Sequence, residues 1–356
     1  MRATPSIPSS IFEAKEQKMP AYRPTVLTVA LCALLGVAAS FALGARAEDA
    51  AQPAKAAAPA RASVQQHFAS PEAAIAALVA ALKAGDQAAT VRVLGPDAKS
   101  IVESGDPVAD RATRERFVAG YDAAHALEMP SAERAALVIG EDRWPFPIPI
   151  VKEAAGWRFD TAAGQEEVLD RRIGRNERAT IQTCLAIVDA QRDYYTRNPG
   201  KDPLLHYARR FQSSKGKRDG LYFATAEGEA ESPLGSLVAQ ARDEGYKTQA
   251  GKPTPFHGYL YRMLEAQGPH ARDGAYAYVA RGQMIGGFAV VAYPARYDNS
   301  GVMTFVVNQD GEVYQKDLGP ETARLARAIE RYDPDQSWQR VPEEDQAPDA
   351  VSAAAE

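Results

Sequence analysis

The chain has 356 residues, of which 46% are hydrophobic and 24% charged, the balance of a folded protein and not of a disordered or fibrous one. Lys and Arg number 41 against 46 Asp and Glu, a net charge of −5, which lacks the basic footprint of a general nucleic-acid binder. Two cysteines, Cys32 and Cys184, exclude a disulfide-rich scaffold and a cysteine zinc cluster.

Thr25–Gly44 (TVLTVALCALLGVAASFALG) carries no charge; Arg23 precedes it and Ala45-Arg46-Ala47 follows it. A basic flank, an apolar run and a small-x-small site form a secretory signal peptide, with cleavage expected after Ala47. The alternative is a retained membrane anchor, since the run is long enough to span. A lipoprotein site is not indicated, because Leu31 stands before Cys32 where a small residue is needed. Residues 1–18 are polar and mixed in charge, and a start at Met19 would give an ordinary signal length, which makes 1–18 a candidate start-site misassignment. Loss of residues 1–47 removes five basic and two acidic side chains and leaves a net charge of −8. A periplasmic or secreted protein is expected, with Cys184 as its single thiol and no internal disulfide. Residues 48–63 (EDAAQPAKAAAPARAS) lack large apolar side chains and read as a flexible tether.

Residues 64–170 read as an N-terminal α+β module. Ser70 is placed to cap a helix with Pro71 at its first position, and Ile75, Leu78, Val79 and Leu82 recur at helical spacing before Gly85-Asp86. A second helix is expected over 87–94 and a third over Arg111–Leu127. Short strands are expected at Ala136–Ile139, Phe146–Val151 and Gly156–Asp160, so that helices precede a curved antiparallel sheet.

Residues 171–342 read as a C-terminal α+β module. Glu177–Tyr195 is a helix with Ile181, Cys184, Leu185, Val188 and Gln191 on one stripe, ended by Asn198-Pro199-Gly200. A loop rich in Lys, Arg and Gly runs to 231. A short helix capped by Ser232-Pro233 follows, with Leu234, Leu237, Val238 and Ala241 inward and Gly245 at its end. Strands are expected at Phe256–Leu264, Ala275–Ala280, Gly287–Pro294, Val302–Asn308 and Glu312–Lys316, the last two joined at Asp310-Gly311. Pro320–Tyr332 closes the module as a helix with Leu325 and Ile329 inward. Residues 343–356 are expected to be a disordered tail.

Three resemblances accompany these patterns. PFHGYLYRMLEAQGPHA, GQMIGGFAVVAYPARYDNSGVMTFVVNQDGEVYQKDLGPET and YDPDQSW resemble the bacterial secreted family known as domain of unknown function 2950, over about 64–342. The resemblance implies an exported two-part protein and brings no catalytic residues with it. SPEAAIAALVAALKAGDQAATVRVLGP with the closing GWRFD is similar to nuclear-transport-factor-2-like domains. The helix opening at Asn176-Glu177 and the sheet ending MTFVVNQDGEVY are similar to the globular heads of type IV pilins and pseudopilins. Arg171, Arg172, Arg175, Glu177, Arg178 and Asp189 keep that helix out of lipid, however, which argues against filament assembly by the pilin route.

Recognisable catalytic chemistry is sparse. None of His67, His125, His206, His257 and His270 is paired at i, i+4. Asn308–Gly311 departs from a calcium loop, with Val306 where the first acidic ligand belongs and Asp317 where a bidentate Glu belongs, and reads as a hairpin turn. Gly282-Gln-Met-Ile-Gly286-Gly287 is followed by a strand and not by the helix a phosphate site needs. Cys184 reads as a buried, inert thiol. No cofactor, metal or catalytic residue is implied. The densest unusual patch combines His206, Tyr207 and Arg209 with His257, Tyr259, Tyr261, Arg262 and His270. Aromatic rings beside Arg and His suit anionic or sugar-like ligands. The competing reading is an alternating strand whose tyrosines pack on the sheet.

The sequence therefore points away from an enzyme and toward an exported envelope protein that binds or scaffolds another component, a cell-envelope protein or a glycan. Contact with a membrane is expected only through an uncleaved signal segment. Two alternatives stand beside it. One is a periplasmic hydrolase, which needs at least two of His206, His257 and His270 in one pocket. The other is an accessory protein of a secretion or pilus system.

Overall fold

A computed structural model describes residues 65–247 and 253–346. The expected signal peptide and tether, and residues 347–356 of the expected tail, lie outside the described residues. The chain enters helix α1 (Pro71–Ala84) as its pattern predicts. The Ser70 side chain accepts a hydrogen bond from the Ala73 amide at 3.2 Å, and Gly85 closes the helix in the left-handed region. Helix α2 (Gln87–Leu94) is capped by Asp86, and a short helix α3 (Lys99–Val102) follows.

Helix α4 covers Pro107–Ala123 and not Arg111–Leu127. Asp106 decides the start, since one of its carboxylate oxygens accepts from the Val108 and Ala109 amides at 3.1 Å each with Pro107 at the first position. At the other end Ala124 is extended, and His125–Ser131 becomes strand β1. Pairing of His125 with Ile139 and Leu127 with Leu137 overrides the local helical pattern.

Strands β2 (Arg134–Ile139), β3 (Trp144–Pro145), β4 (Ile150–Glu153) and β5 (Gly156–Phe159) complete an antiparallel sheet. Its order is β1-β2-β4-β5, with β3 beside β2. The strand expected over Phe146–Val151 thus begins only at Ile150. The core of this half is built on Leu78, Leu137, Ile148, Ile150 and Phe159, all essentially inaccessible to solvent.

Helix α5 runs unbroken from Thr161 to Arg197, starting well before the expected Glu177 and crossing the expected module boundary at 170/171. Its early turns serve the first core. Thr161 donates to the Leu94 carbonyl at 2.5 Å, and Gly164 lies against the Pro147–Ile148 backbone. Its later turns, from Ile181 to Tyr194, build the second core. Asn198 then ends the helix in the left-handed region, as expected. Contacts make the described residues one unit.

Helix α6 (Gly235–Asp243) follows an irregular stretch. Ser232 does not cap it: Leu234 stands at the cap position, and the buried Ser232 hydroxyl has no hydrogen-bond partner. Next come β6 (Tyr259–Leu264), β7 (Ala266–Gln267), β8 (Tyr276–Ala277), β9 (Val279–Ala280), β10 (Gln283–Met284), β11 (Ala289–Pro294), β12 (Met303–Asn308) and β13 (Val313–Asp317). Helix α7 (Thr322–Ala328) and strand β14 (Gln339–Arg340) close the fold. The main sheet has the antiparallel order β14-β13-β12-β11-β6, while β7-β8 and β9-β10 form small hairpin pairs.

Helix α7 is shorter than the expected Pro320–Tyr332, because Ile329 is extended and Arg262 binds the carbonyls of Ala326 and Ile329. Glu343–Gln346, the start of the expected tail, forms a 3₁₀ turn whose Gln346 carbonyl accepts from Gln182 on α5 at 2.8 Å. The chain is an α+β protein.

Candidate functional site

The eight patch residues settle into separate structural roles. The His206 ring lies 3.0 Å from Asp202 and 3.0 Å from its neighbour's carbonyl. Tyr207 packs against Tyr195 and Phe288 with ring centroids 4.9 Å away in each case. Arg209 donates to both oxygens of Glu265 at 2.7 and 3.0 Å. His257 sits 3.7 Å from Glu244, and its withdrawal from water holds the imidazole below its ordinary pKa against the pull of Glu244 and Asp106.

Strand β6 turns Tyr259 and Tyr261 toward α5. The Tyr259 hydroxyl donates to the Met303 carbonyl at 2.9 Å, and the Tyr261 hydroxyl to Thr180 at 3.3 Å. Burial raises both phenol pKa values. Arg262, on the opposite face, closes the end of α7, where a cation also meets the negative end of the helix dipole. His270 pairs with Asp333 at 3.1 Å.

The three histidines therefore engage three different carboxylates, and among the described residues no hydrogen bond or ring contact joins any two of them. Arg209, Tyr261 and Arg262 do meet, along a groove with Phe211, Glu265 and Glu330. The three arginines in that groove, Arg209, Arg210 and Arg262, already hold acceptors. Cys184 is fully buried and its thiol is pushed up to about 12 by burial, so it is unreactive.

A different site lies in the N-terminal half, a cavity of about 420 Å³. Leu78 and Leu82 of α1, Phe117 of α4, Ile139 of β2, Phe146, and Val168 of α5 give it apolar walls. Helix α4 explains why the space exists. It is 17 residues long and not one of them is buried. An isolated helix is marginal in water without an apolar face packed against something, yet Phe117, Val118 and Tyr121 remain only half covered. Asp106 anchors the start of α4 with its other oxygen, which accepts from the Tyr246 hydroxyl and the Gly258 amide at 2.9 Å each.

The polar lining is dominated by arginine, with Arg114, Arg116, Arg171, Arg172 and Arg175 against Asp110 and Asp142. Arg172 is structural: it is 8% exposed and donates to the carbonyls of Ser100 and Ile101 and to Asn299. Asp110 accepts from the Ser104 amide at 3.0 Å, and partial desolvation of its half-covered carboxyl raises the pKa. Arg171 pairs with Glu167 and lies over the Trp144 ring at 5.2 Å, with one guanidinium nitrogen lacking any acceptor. Arg175 is exposed as a residue, yet partial desolvation of its guanidinium, followed by the like charges of Arg116, Arg178 and Arg171, lowers its pKa. The sequence displays these arginines at 171, 172, 175 and 178, but there they bear only on whether the helix could lie in lipid. Their approach to Phe117, Trp144 and Phe146 is visible only once the sheet has closed.

Among the described residues, no group of three or more His, Cys, Asp or Glu could hold a metal ion, and no helix is long and apolar enough to cross a membrane. Fold and site together define an α+β protein with an apolar cavity rimmed by arginine. The chain matches, over residues 65–341, the family described as "Protein of unknown function (DUF2950)", and it belongs to that family. No curated protein and no solved structure matches it, so the pilin-head and nuclear-transport-factor-2-like resemblances gain no counterpart there.

Proposed function

We propose that the protein is a non-catalytic binding protein of the bacterial cell envelope, and that its ligand site is the cavity under α4. One observation carries this reading: a 17-residue helix that buries no residue of its own stands over an apolar space of about 420 Å³, within the size range of small-molecule sites. Apolar walls around a space of that size would gain contacts on every side from an apolar ligand. Export is supported by the uncharged run Thr25–Gly44 ahead of Ala45-Arg46-Ala47. Sequencing of the mature N terminus is expected to begin at Glu48.

Gly120 provides the test of the cavity. It lies in α4 and lines the space, and a Cβ there would meet Ile139 Cδ1 at 3.5 Å, an ordinary contact. Gly120→Leu should therefore be tolerated and should raise stability by up to about 1 kcal/mol through helix propensity, while its side chain fills the cavity. The neutral fluorescent probe N-phenyl-1-naphthylamine is expected to bind the parent protein saturably at one site and the variant at least ten-fold more weakly. Equal binding by two equally folded proteins would place the ligand site elsewhere.

A further inference from the structure

We propose that the cavity takes a long-chain fatty acid, with the alkyl chain along the apolar walls and the carboxylate on the guanidinium groups of Arg116, Arg171 and Arg175. This rests on the reading of the cavity as the ligand site and adds the chemistry of what fills it.

Three observations lead there. The first is size. About 420 Å³ corresponds to roughly fourteen water-sized groups of about 30 Å³ each, and a methylene is of similar bulk. That is one alkyl chain; the two chains of a phospholipid would need about twice the space.

The second is the separation of apolar from charged lining. Leu78, Leu82, Phe117, Ile139, Phe146 and Val168 are buried or half-buried, whereas Arg116, Arg175 and Trp144 are exposed and mark the mouth. An amphiphile with one charged end has that same division.

The third is unsatisfied positive charge. Arg116 donates only to the Thr113 hydroxyl, at 3.1 Å, and neither Arg116 nor Arg175 has a carboxylate partner among the described residues. Arg171 keeps one nitrogen without an acceptor. Asp142 is exposed at the mouth and Asp110 is held by Ser104, so the two lining carboxylates leave a net positive rim on a chain that is negative overall. A carboxylate would receive charge-assisted hydrogen bonds from these guanidinium groups and relieve their mutual repulsion.

The test compares laurate with dodecanol, which has the same chain and no charge, as competitors of N-phenyl-1-naphthylamine on the purified protein at low salt. Laurate is expected to bind about ten-fold more tightly. The advantage should shrink in 0.5 M NaCl, since exposed charges are screened there, and in Arg116→Gln and Arg175→Gln. The far-ultraviolet circular dichroism of those variants should match that of the parent, which shows that they remain folded. The salt series on the parent protein does not depend on any variant. If the probe binds but laurate and dodecanol compete equally at every salt concentration, the fatty-acid assignment fails while the cavity reading stands. If the probe itself does not bind, the cavity reading falls and takes the assignment with it.

Discussion

His257 occupies left-handed backbone at φ +49°, a conformation few residues other than glycine, asparagine and aspartate adopt easily. Its ring lies tilted by 51° against Phe256 with centroids 4.1 Å apart, near Tyr246, and faces Glu244 and Asp106. Because burial lowers its pKa in the folded protein, the unfolded chain takes up a proton that the folded chain refuses. Stability from this group is thus present above the ordinary histidine value of about 6.5 and is lost as the pH falls toward the folded pKa. His257→Asn keeps a residue that tolerates the left-handed backbone and removes the titration. Urea midpoints measured from pH 7.5 to 5.5 should fall less steeply in the variant than in the parent, and parallel curves would show that His257 does not titrate differently on folding. At this scale the sequence reading was half legible. The alternation that places Tyr259 and Tyr261 together was readable from β6. The carboxylates that absorb His206, His257 and His270 come from positions 202, 244 and 333, and the pairings of Glu244 with His257 and Asp333 with His270 exist only after the chain has folded back.

Among the elements, α5 shows how a helix can be hidden. Its first half contains Gly164, Gly174 and a run of charged residues, so the apolar stripe is plain only from Ile181 onward. The two glycines have opposite reasons for being there. A Cβ at Gly164 would come within 2.5 Å of the Pro147 carbonyl oxygen and 2.8 Å of Ile148 Cα, so the helix and the preceding loop touch backbone to backbone. At Gly174 the nearest atom is the far end of Arg178, 3.9 Å away. Gly174→Ala should therefore stabilise the protein by up to about 1 kcal/mol, the propensity difference between the two residues. Gly164→Ala should destabilise it by about 1–3 kcal/mol, the usual cost of overpacking. Thermal or urea denaturation of the pair decides the matter, and two substitutions of the same sign would contradict the packing described. The bounds of helix α4 escape the local pattern for a different reason: they depend on Asp106 at one end and on strand pairing with β2 at the other, and only the first is a local signal.

Several polar links cross between the two hydrophobic cores, and the halves are expected to unfold as one cooperative structure. Asp106 is 1% exposed, and beyond the two α4 amides it holds the Tyr246 hydroxyl and the Gly258 amide. Arg172 on α5 reaches Asn299, and Arg296 donates to the Glu103 carbonyl at 2.9 Å. Glu177 takes the amides of Val302 and Met303 at 2.9 Å each, tying the middle of α5 to the start of β12, while the same helix begins in the first core. Neither core can lose its share of α5 without disturbing the other. This also explains why the cavity is not readable from the sequence: its walls come from α1, α2, α3, α4, β2, β3 with the loop after it, and α5, and no local pattern spans that set. Trp157 reports on the first core and Trp338 packs against the second. In Trp144→Phe/Trp338→Phe, only Trp157 fluoresces; in Trp144→Phe/Trp157→Phe, only Trp338 does. In each variant the urea transition followed by fluorescence should coincide with the one followed by far-ultraviolet circular dichroism, the mark of two-state unfolding. Asp106→Ala should shift both midpoints down together, since each buried donor left without a partner costs about 1–3 kcal/mol. Separate transitions in either background, or an Asp106→Ala effect confined to Trp157, would mean that the halves unfold independently and that α5 bridges them without coupling them.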